Sequence, residues 1–94
     1  MQFLLLIYEN EQRYSKGYNP GEMEKYMAFG EKHRAAIKGG NALQPTATAA
    51  TVRLRDGKRL TTDGPFAETK EQLGGYYLVE AANRDQAVAI AAEI

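Results

Sequence analysis

The sequence predicts an α+β fold in which two helices cover one face of an antiparallel sheet. Three observations support this prediction: an apolar run over residues 3–8, a helix signal at Asn19-Pro20, and a strand over residues 73–82 followed by a second helix. A hairpin lies between the first helix and the last strand, so the predicted order is strand, helix, hairpin, strand, helix. This order is typical of a split βαβ arrangement.

The first predicted strand is apolar at every position from residue 3 to residue 8, not at alternate positions. A strand with this pattern is covered on both faces. Two helices cover only one face of a small sheet, so we expect a partner subunit to cover the other. The run is too short for a membrane-spanning helix and poor for a signal peptide, which predicts a cytoplasmic protein.

The composition limits the kinds of site that the chain can build. Its 94 residues predict one domain over residues 1–94, and folding buries about 65% of the extended-chain surface at this size. The absence of cysteine excludes disulfides and thiolate metal sites, and the single histidine excludes a multi-histidine metal site. Twelve basic residues balance twelve acidic ones, which gives no electrostatic footprint for nucleic acid. Oligomerisation is the remaining way to support a small core.

Capping signals place both helices. The first is expected to begin at Asn19-Pro20, with proline at its first position, and to end at Gly39-Gly40. Gly30 falls inside the apolar stripe of this helix, so we expect the helix to approach a strand closely there. The second helix is expected to begin after Asn83, with Gln86 completing a capping box.

The dipeptide Asp56-Gly57 predicts a β-hairpin with two alternative registers. A two-residue turn puts Leu60 on the same face as Arg53. A three-residue loop groups Leu60 with the apolar residues of the preceding strand and sets Arg53 opposite Arg59. The hydrophobic pattern favours the three-residue loop.

Residues 63–75 form the most unusual stretch, because a tight turn, acidic residues, a lysine and a glycine pair lie close together. Asp63 stands where a strand ends and a Gly-Pro turn begins. Its carboxylate is a candidate general base or ligand acceptor, and the alternative is that it only caps the turn. If Asp63 met His33, its carboxylate would orient the imidazole for catalysis. The alternative is that His33 is a half-buried or surface histidine of the helix.

Three arginines, Arg53, Arg55 and Arg59, lie on the hairpin strands. Guanidinium groups bind small carboxylates and phosphates, so these residues are candidates for an anion site. The alternative is a solvated sheet face paired with Glu68 or Glu71. The sequence contains no pattern that singles out a cofactor.

Residues 63–77, which run from Asp63-Gly64-Pro65-Phe66 to Gly74-Gly75-Tyr76-Tyr77, resemble the signature of the DGPF group within the YCII-related family. The first strand and residues 43–53 also resemble that family. The resemblance implies a ferredoxin-like α+β subunit that pairs its sheet with a second copy, forming a dimeric α/β barrel. Family members usually continue into a final strand, and this chain ends at Ile94 within the helix pattern, so we expect that strand to be absent.

The resemblance also implies a function. Some family members carry a His–Asp pair that has been proposed as an active site, and His33 and Asp63 are its counterparts here. This implies a small-molecule enzyme or binding protein with an acid–base pair in a cleft near the DGPF loop. Arg53 would anchor an anionic group, and the other expected ligand-binding residues are Gly64, Pro65, Phe66, Glu68 and Lys70. The alternative is a non-catalytic accessory module associated with an extracytoplasmic-function sigma factor.

Overall fold

The computed structural model describes residues 1–14, 20–65 and 67–94. It confirms the α+β class, with antiparallel strands and two α-helices consistent with a ferredoxin-like fold. The elements are β1 (Gln2–Glu9), α1 (Pro20–Lys32), β2 (Ile37–Ala42), β3 (Ala50–Arg55), β4 (Lys58–Asp63), β5 (Gln72–Glu80) and α2 (Arg84–Ala91). Short 3-10 turns lie at Glu11–Tyr14 and Thr46–Thr48. In this part of the chain, no helix is long and apolar enough to cross a membrane.

The central strand of the main sheet is β5, which pairs antiparallel with β1 on one side and β2 on the other. Tyr77 marks the centre of both pairings, because it lies opposite Leu5 of β1 and opposite Gly40 of β2. Strands β3 and β4 form a separate two-stranded sheet.

The first helix was predicted to extend to Gly39-Gly40, and this is wrong because both glycines belong to strand β2. The helix α1 ends at Lys32, and the carbonyl of His33 accepts two backbone N–H groups as the chain turns towards β2. The two glycines therefore lie in the sheet. A Cβ on Gly40 would come 2.6 Å from the carbonyl oxygen of Tyr76, so close pairing with β5 requires glycine there. This requirement comes from a strand distant in sequence, which a local helix pattern does not reveal.

The core lies between the two helices and one face of the main sheet. Leu5, Phe29, Val79 and Ile90 form its buried cluster, with one residue each from β1, α1, β5 and α2. Val79 is completely buried. Each such aliphatic or aromatic side chain contributes about 1.5–3 kcal/mol when it leaves water, so these four residues hold the layers together.

The outer face of the main sheet is apolar and exposed in the single chain. Leu4 and Leu6 alternate with the core residues of β1 and are 56% and 49% exposed. They lie opposite Leu78 and Tyr76 of β5, which are partly buried. The continuous apolar pattern of β1 therefore corresponds to one face packed on helices and one face open to solvent.

The hairpin uses the two-residue turn, so the predicted three-residue loop is wrong. Arg53 lies opposite Leu60, not opposite Arg59. Both turn residues have positive φ, 52° at Asp56 and 77° at Gly57, as a two-residue turn of the primed type requires. Hydrophobic grouping sets a register only where one face of the hairpin is buried, and Leu60 is 50% exposed. With little burial to set the register, the turn chemistry decides it.

The predicted cap of α2 is confirmed. Asn83 Oδ1 accepts the N–H of Gln86 at 2.9 Å. The Gln86 side chain accepts the N–H of Ala82 at 2.6 Å, one residue before the position expected in a capping box. The expected close approach at Gly30 is wrong, because a Cβ there would meet nothing within 4 Å.

Gly30→Ala is expected to raise the free energy of unfolding by about 1 kcal/mol, because alanine is the better helix former and has room there. Gly40→Ala is the matched control and is expected to destabilise the protein, since its Cβ would lie 2.6 Å from a backbone oxygen. Urea unfolding followed by circular dichroism measures both changes. Destabilisation by Gly30→Ala would contradict this account of α1.

Candidate functional site

His33 lies just after α1 and packs towards the end of α2. Its ring centroid is 4.9 Å from that of Phe29, and its side chain is 15% exposed. Its Nε2 is hydrogen-bonded to the carboxylate of Glu93, which is also ion-paired with Lys32. The acidic partner of His33 in the described residues is therefore Glu93 and not Asp63. These contacts tie the ends of the two helices together.

Asp63 ends β4 in the two-stranded sheet and is exposed. The turn after it is held by backbone contacts of Gly64, whose φ of 97° favours glycine. The Gly64 N–H donates to the carbonyl of Ala49 at 2.7 Å, and its carbonyl accepts the Thr51 hydroxyl at 2.9 Å. Neither of these two bonds involves the Asp63 side chain. A catalytic role for Asp63 stays a prediction.

The other predicted ligand-binding residues lie in several places. Glu68 and Lys70 are exposed and line an open cavity of about 510 Å³ beside the start of β5. Gly64 and Pro65 are partly buried, and Phe66 lies outside the described residues. Arg53 lies on β3.

Glu11 forms part of the wall of this open cavity, and its polar groups have structural partners. Its carboxylate accepts the backbone N–H of Thr46 at 2.7 Å and the Thr46 hydroxyl at 2.9 Å. Its own N–H donates to Gln72 at 3.1 Å. The carboxylate therefore joins the segment after β1 to the turn at Thr46, and the Glu11 N–H joins it to the start of β5.

A different cavity, of about 310 Å³, lies where β1, β2 and β5 meet the first half of α1. This volume is at the lower end of the range for small-molecule sites. Much of its lining is apolar or glycine, including Ile7, Met23 and Gly74. The polar residues in its lining are Glu9, Tyr26 and Tyr77, together with Asn41 and Tyr76, whose side chains lie on the outer face of the sheet. We call it the Glu9–Tyr26 cavity.

The pair that names the cavity joins the sheet to a helix. Tyr26, on α1, donates its hydroxyl proton to Glu9 Oε1 of β1 at 2.5 Å. The other oxygen, Oε2, lies 3.0 Å from the position that a Cβ on Gly74 would occupy. Any side chain at Gly74 would therefore press on this carboxylate.

Two further contacts involve lining residues. The Asn41 side-chain amide donates to the Tyr76 hydroxyl at 2.9 Å. The Tyr77 ring lies 5.1 Å from that of Phe29 in the core, and burial raises the pKa of the Tyr77 hydroxyl above its ordinary value. Tyr77 therefore keeps its proton to a higher pH than an exposed tyrosine does.

The sequence interpretation did not identify Glu9, Tyr26 or Asn41 as site residues. They come from β1, α1 and β2, and both the pairing of the strands with β5 and the packing of α1 bring them to one cavity. The available signal was the glycines of the two pairs: Gly40, Gly74 and Gly75 line the cavity, and each allows a close approach of neighbouring atoms. Among the residues that the structure describes, no group of three or more metal-ligating side chains is arranged to hold a metal ion.

Acid is expected to weaken the contact between the two helix ends. The hydrogen bonds from Lys32 and then His33 lower the pKa of the Glu93 carboxyl below its ordinary value of 4.5. Because the folded-state pKa is the lower one, this contact stabilises the fold above about pH 4.5 and is lost as pH falls through the lowered folded-state value.

The Tm of the wild-type protein is therefore expected to fall below pH 4.5, and Glu93→Gln is expected to flatten part of that fall. Glu31→Gln is the control, because its carboxylate is highly exposed and lies 4.0 Å from Arg34. Identical pH profiles for Glu93→Gln and the wild type would contradict the role of this contact.

Two comparisons with known proteins match the whole of this chain. The family model of the YCII-related domain matches residues 1–94, the whole of this chain. An uncharacterised protein of Rhizobium meliloti (strain 1021) is 38% identical over 99 aligned residues, which cover 100% of this chain and 80% of that protein. The chain belongs to the YCII-related family.

Proposed function

We propose that this chain is a small-molecule-binding protein or enzyme of the YCII-related family, whose ligand occupies the Glu9–Tyr26 cavity. The observation that supports this proposal is the 2.5 Å hydrogen bond between the Tyr26 hydroxyl and Glu9, in the lining of a cavity of about 310 Å³. Apolar cavities with a few convergent polar groups are the usual form of small-molecule sites. Any proton transfer here would use Glu9 as acceptor, with Tyr26 sharing the proton.

The acid–base pair predicted from the sequence, Asp63 with His33, is the competing assignment. It would place the ligand near the DGPF loop, with Arg53 holding an anionic group. His33 would have to exchange its bond to Glu93 for one to Asp63. The Glu9–Tyr26 cavity needs no such rearrangement, because its polar groups already meet in the described structure.

A partner-binding role is a second candidate, and the exposed apolar residues of the outer sheet face favour it. Leu4 and Leu6 are about half exposed on a strand that is apolar throughout. We infer that a second copy of the chain covers this face, since a two-fold axis lets one apolar patch cover its own counterpart. A regulator such as a sigma factor is the alternative occupant, as in an accessory module.

Ligand binding is tested with a fragment screen by thermal shift and NMR, comparing the wild type with Glu9→Gln and Tyr26→Phe. Each variant removes or weakens one hydrogen-bonding group, so we expect about a tenfold loss of affinity for fragments that bind in the cavity. Asp63→Asn and His33→Gln are the comparison variants and are expected to retain binding. Loss of binding in those two, with binding intact in Glu9→Gln, would favour the competing assignment.

Assembly is tested by light scattering, where a dimer gives about twice the monomer mass of 10.4 kDa. Leu6→Lys is expected to shift the protein to the monomer, because it puts a charge on the apolar outer face. Leu54→Lys is the matched control: Leu54 lies on β3 of the hairpin and is 75% exposed. A monomeric wild type, or equal effects of the two variants, would contradict pairing through the sheet.

A further inference from the structure

We propose that the free edge of β3 docks an extended segment of a partner protein in which apolar and acidic residues alternate. The segment would add to the β3–β4 hairpin, residues 50–63, as a third strand. This surface is separate from the Glu9–Tyr26 cavity, whose described lining residues all belong to other parts of the chain. Three observations support the proposal: the packing of the hairpin, the alternation of side chains along β3, and the charge of one face.

The hairpin is incompletely packed in the single chain. Strands β3 and β4 pair with each other and with no other described strand. Every residue of β4 is exposed, and in β3 only Thr51 is partly buried. A two-stranded hairpin is at best marginally stable in water, and a third strand or a packed face is needed to stabilise it. The hairpin would therefore gain stability from binding another chain.

The edge of β3 offers backbone hydrogen-bonding groups to a third strand. The two-residue turn makes Arg55 and Lys58 a hydrogen-bonded pair, and such pairs recur at every second residue. The intervening residues Val52 and Leu54 therefore direct their N–H and C=O groups away from β4. Neither forms a backbone hydrogen bond with another described part of the chain. An extended segment along this edge would gain these bonds by strand addition.

The side chains of β3 define which segment fits. Val52 and Leu54 lie on one face of the hairpin and are 61% and 75% exposed. Arg53 and Arg55 lie on the other face. Neighbouring side chains on one face of a sheet interact across the strands. A third strand would therefore place every second residue beside the two aliphatic side chains and the residues between them beside the arginines.

The charge of the second face selects acidic residues. Four of the 12 basic residues of the chain lie within residues 53–59, where Asp56 is the one acidic residue. Arg55 lies directly opposite Lys58, and like charges in this position repel. Among the described residues, neither side chain has an ion-pair partner. A carboxylate on the added strand would compensate this repulsion.

Two other occupants match the surface less fully. Two-fold pairing of β3 with its counterpart in a second copy would bring the arginines of both copies onto one face of the combined sheet. Nucleic acid would match the charge, but it offers no strand backbone for the edge and no aliphatic side chains for Val52 and Leu54. Both occupants are outcomes of the test.

The test measures the binding of short capped peptides to the full chain by NMR titration at pH 7. Valine alternates with glutamate in the first peptide and with lysine in the second. The third is the glutamate peptide with methylated backbone nitrogens, which cannot donate to a strand edge. We expect the wild type to bind the first peptide about tenfold more tightly than either of the others, with shifts concentrated at residues 50–55.

Variants separate the charge from the apolar contact. Arg55→Glu is expected to reduce the preference for the glutamate peptide over the lysine peptide about tenfold, because it reverses a charge beside the added strand. Arg84→Glu is the matched control, since Arg84 is an exposed residue of α2 and undergoes the same change of charge. Leu54→Thr is expected to weaken binding of the glutamate peptide about threefold and to leave the preference unchanged. Unchanged resonances outside the hairpin show that each variant is folded.

Several outcomes would overturn the proposal. No binding of the glutamate peptide, equal binding of the three peptides, or a preference that Arg55→Glu leaves unchanged would each contradict it. Tighter binding of a short DNA duplex than of the glutamate peptide would assign the surface to nucleic acid. Shifts of β3 resonances that grow with protein concentration alone, and are lost in Leu54→Thr, would assign it to a second copy.

Discussion

The antiparallel pairing of β5 with β1 on one side and β2 on the other is the constraint on which the rest of the structure depends. Val79 and Tyr77 of β5 face the helices and contribute to the core or pack against it. Gly74 and Gly75, earlier in the same strand, line the Glu9–Tyr26 cavity. One strand therefore supplies both packing that stabilises the domain and part of the cavity in which we propose that a ligand binds.

The core and the cavity contact different parts of β5, because the size of the side chains changes along the strand. Val79 and Tyr77 contribute to the core or pack against it, whereas Gly74 and Gly75 line the cavity beside the first half of α1. The carboxylate of Glu9 is held there by a helix tyrosine, Tyr26, so its position depends on the packing of α1 against the sheet. Stability and the proposed binding site are thus coupled through α1.

Local rules explain which sequence predictions were confirmed. The cap of α2 depends on Asn83 and Gln86, three residues apart, so the pattern contains all the necessary information. The hairpin position follows from Asp56-Gly57 in the same way. Its register was predicted wrongly, because hydrophobic grouping sets a register only when a face is buried, and Leu60 remains half exposed.

The sequence by itself determined the α+β class, the cap of α2, the turn at Asp56-Gly57 and a first strand that is apolar on both faces, because each depends on neighbouring residues. Only the tertiary structure decided that Gly39-Gly40 belongs to a strand, since the partner of that strand is distant in sequence. It also decided that His33 meets Glu93, and that Glu9 meets Tyr26 beside Gly74. Side-chain contacts of this kind depend on how the elements pack, so they cannot be predicted from spacing along the sequence.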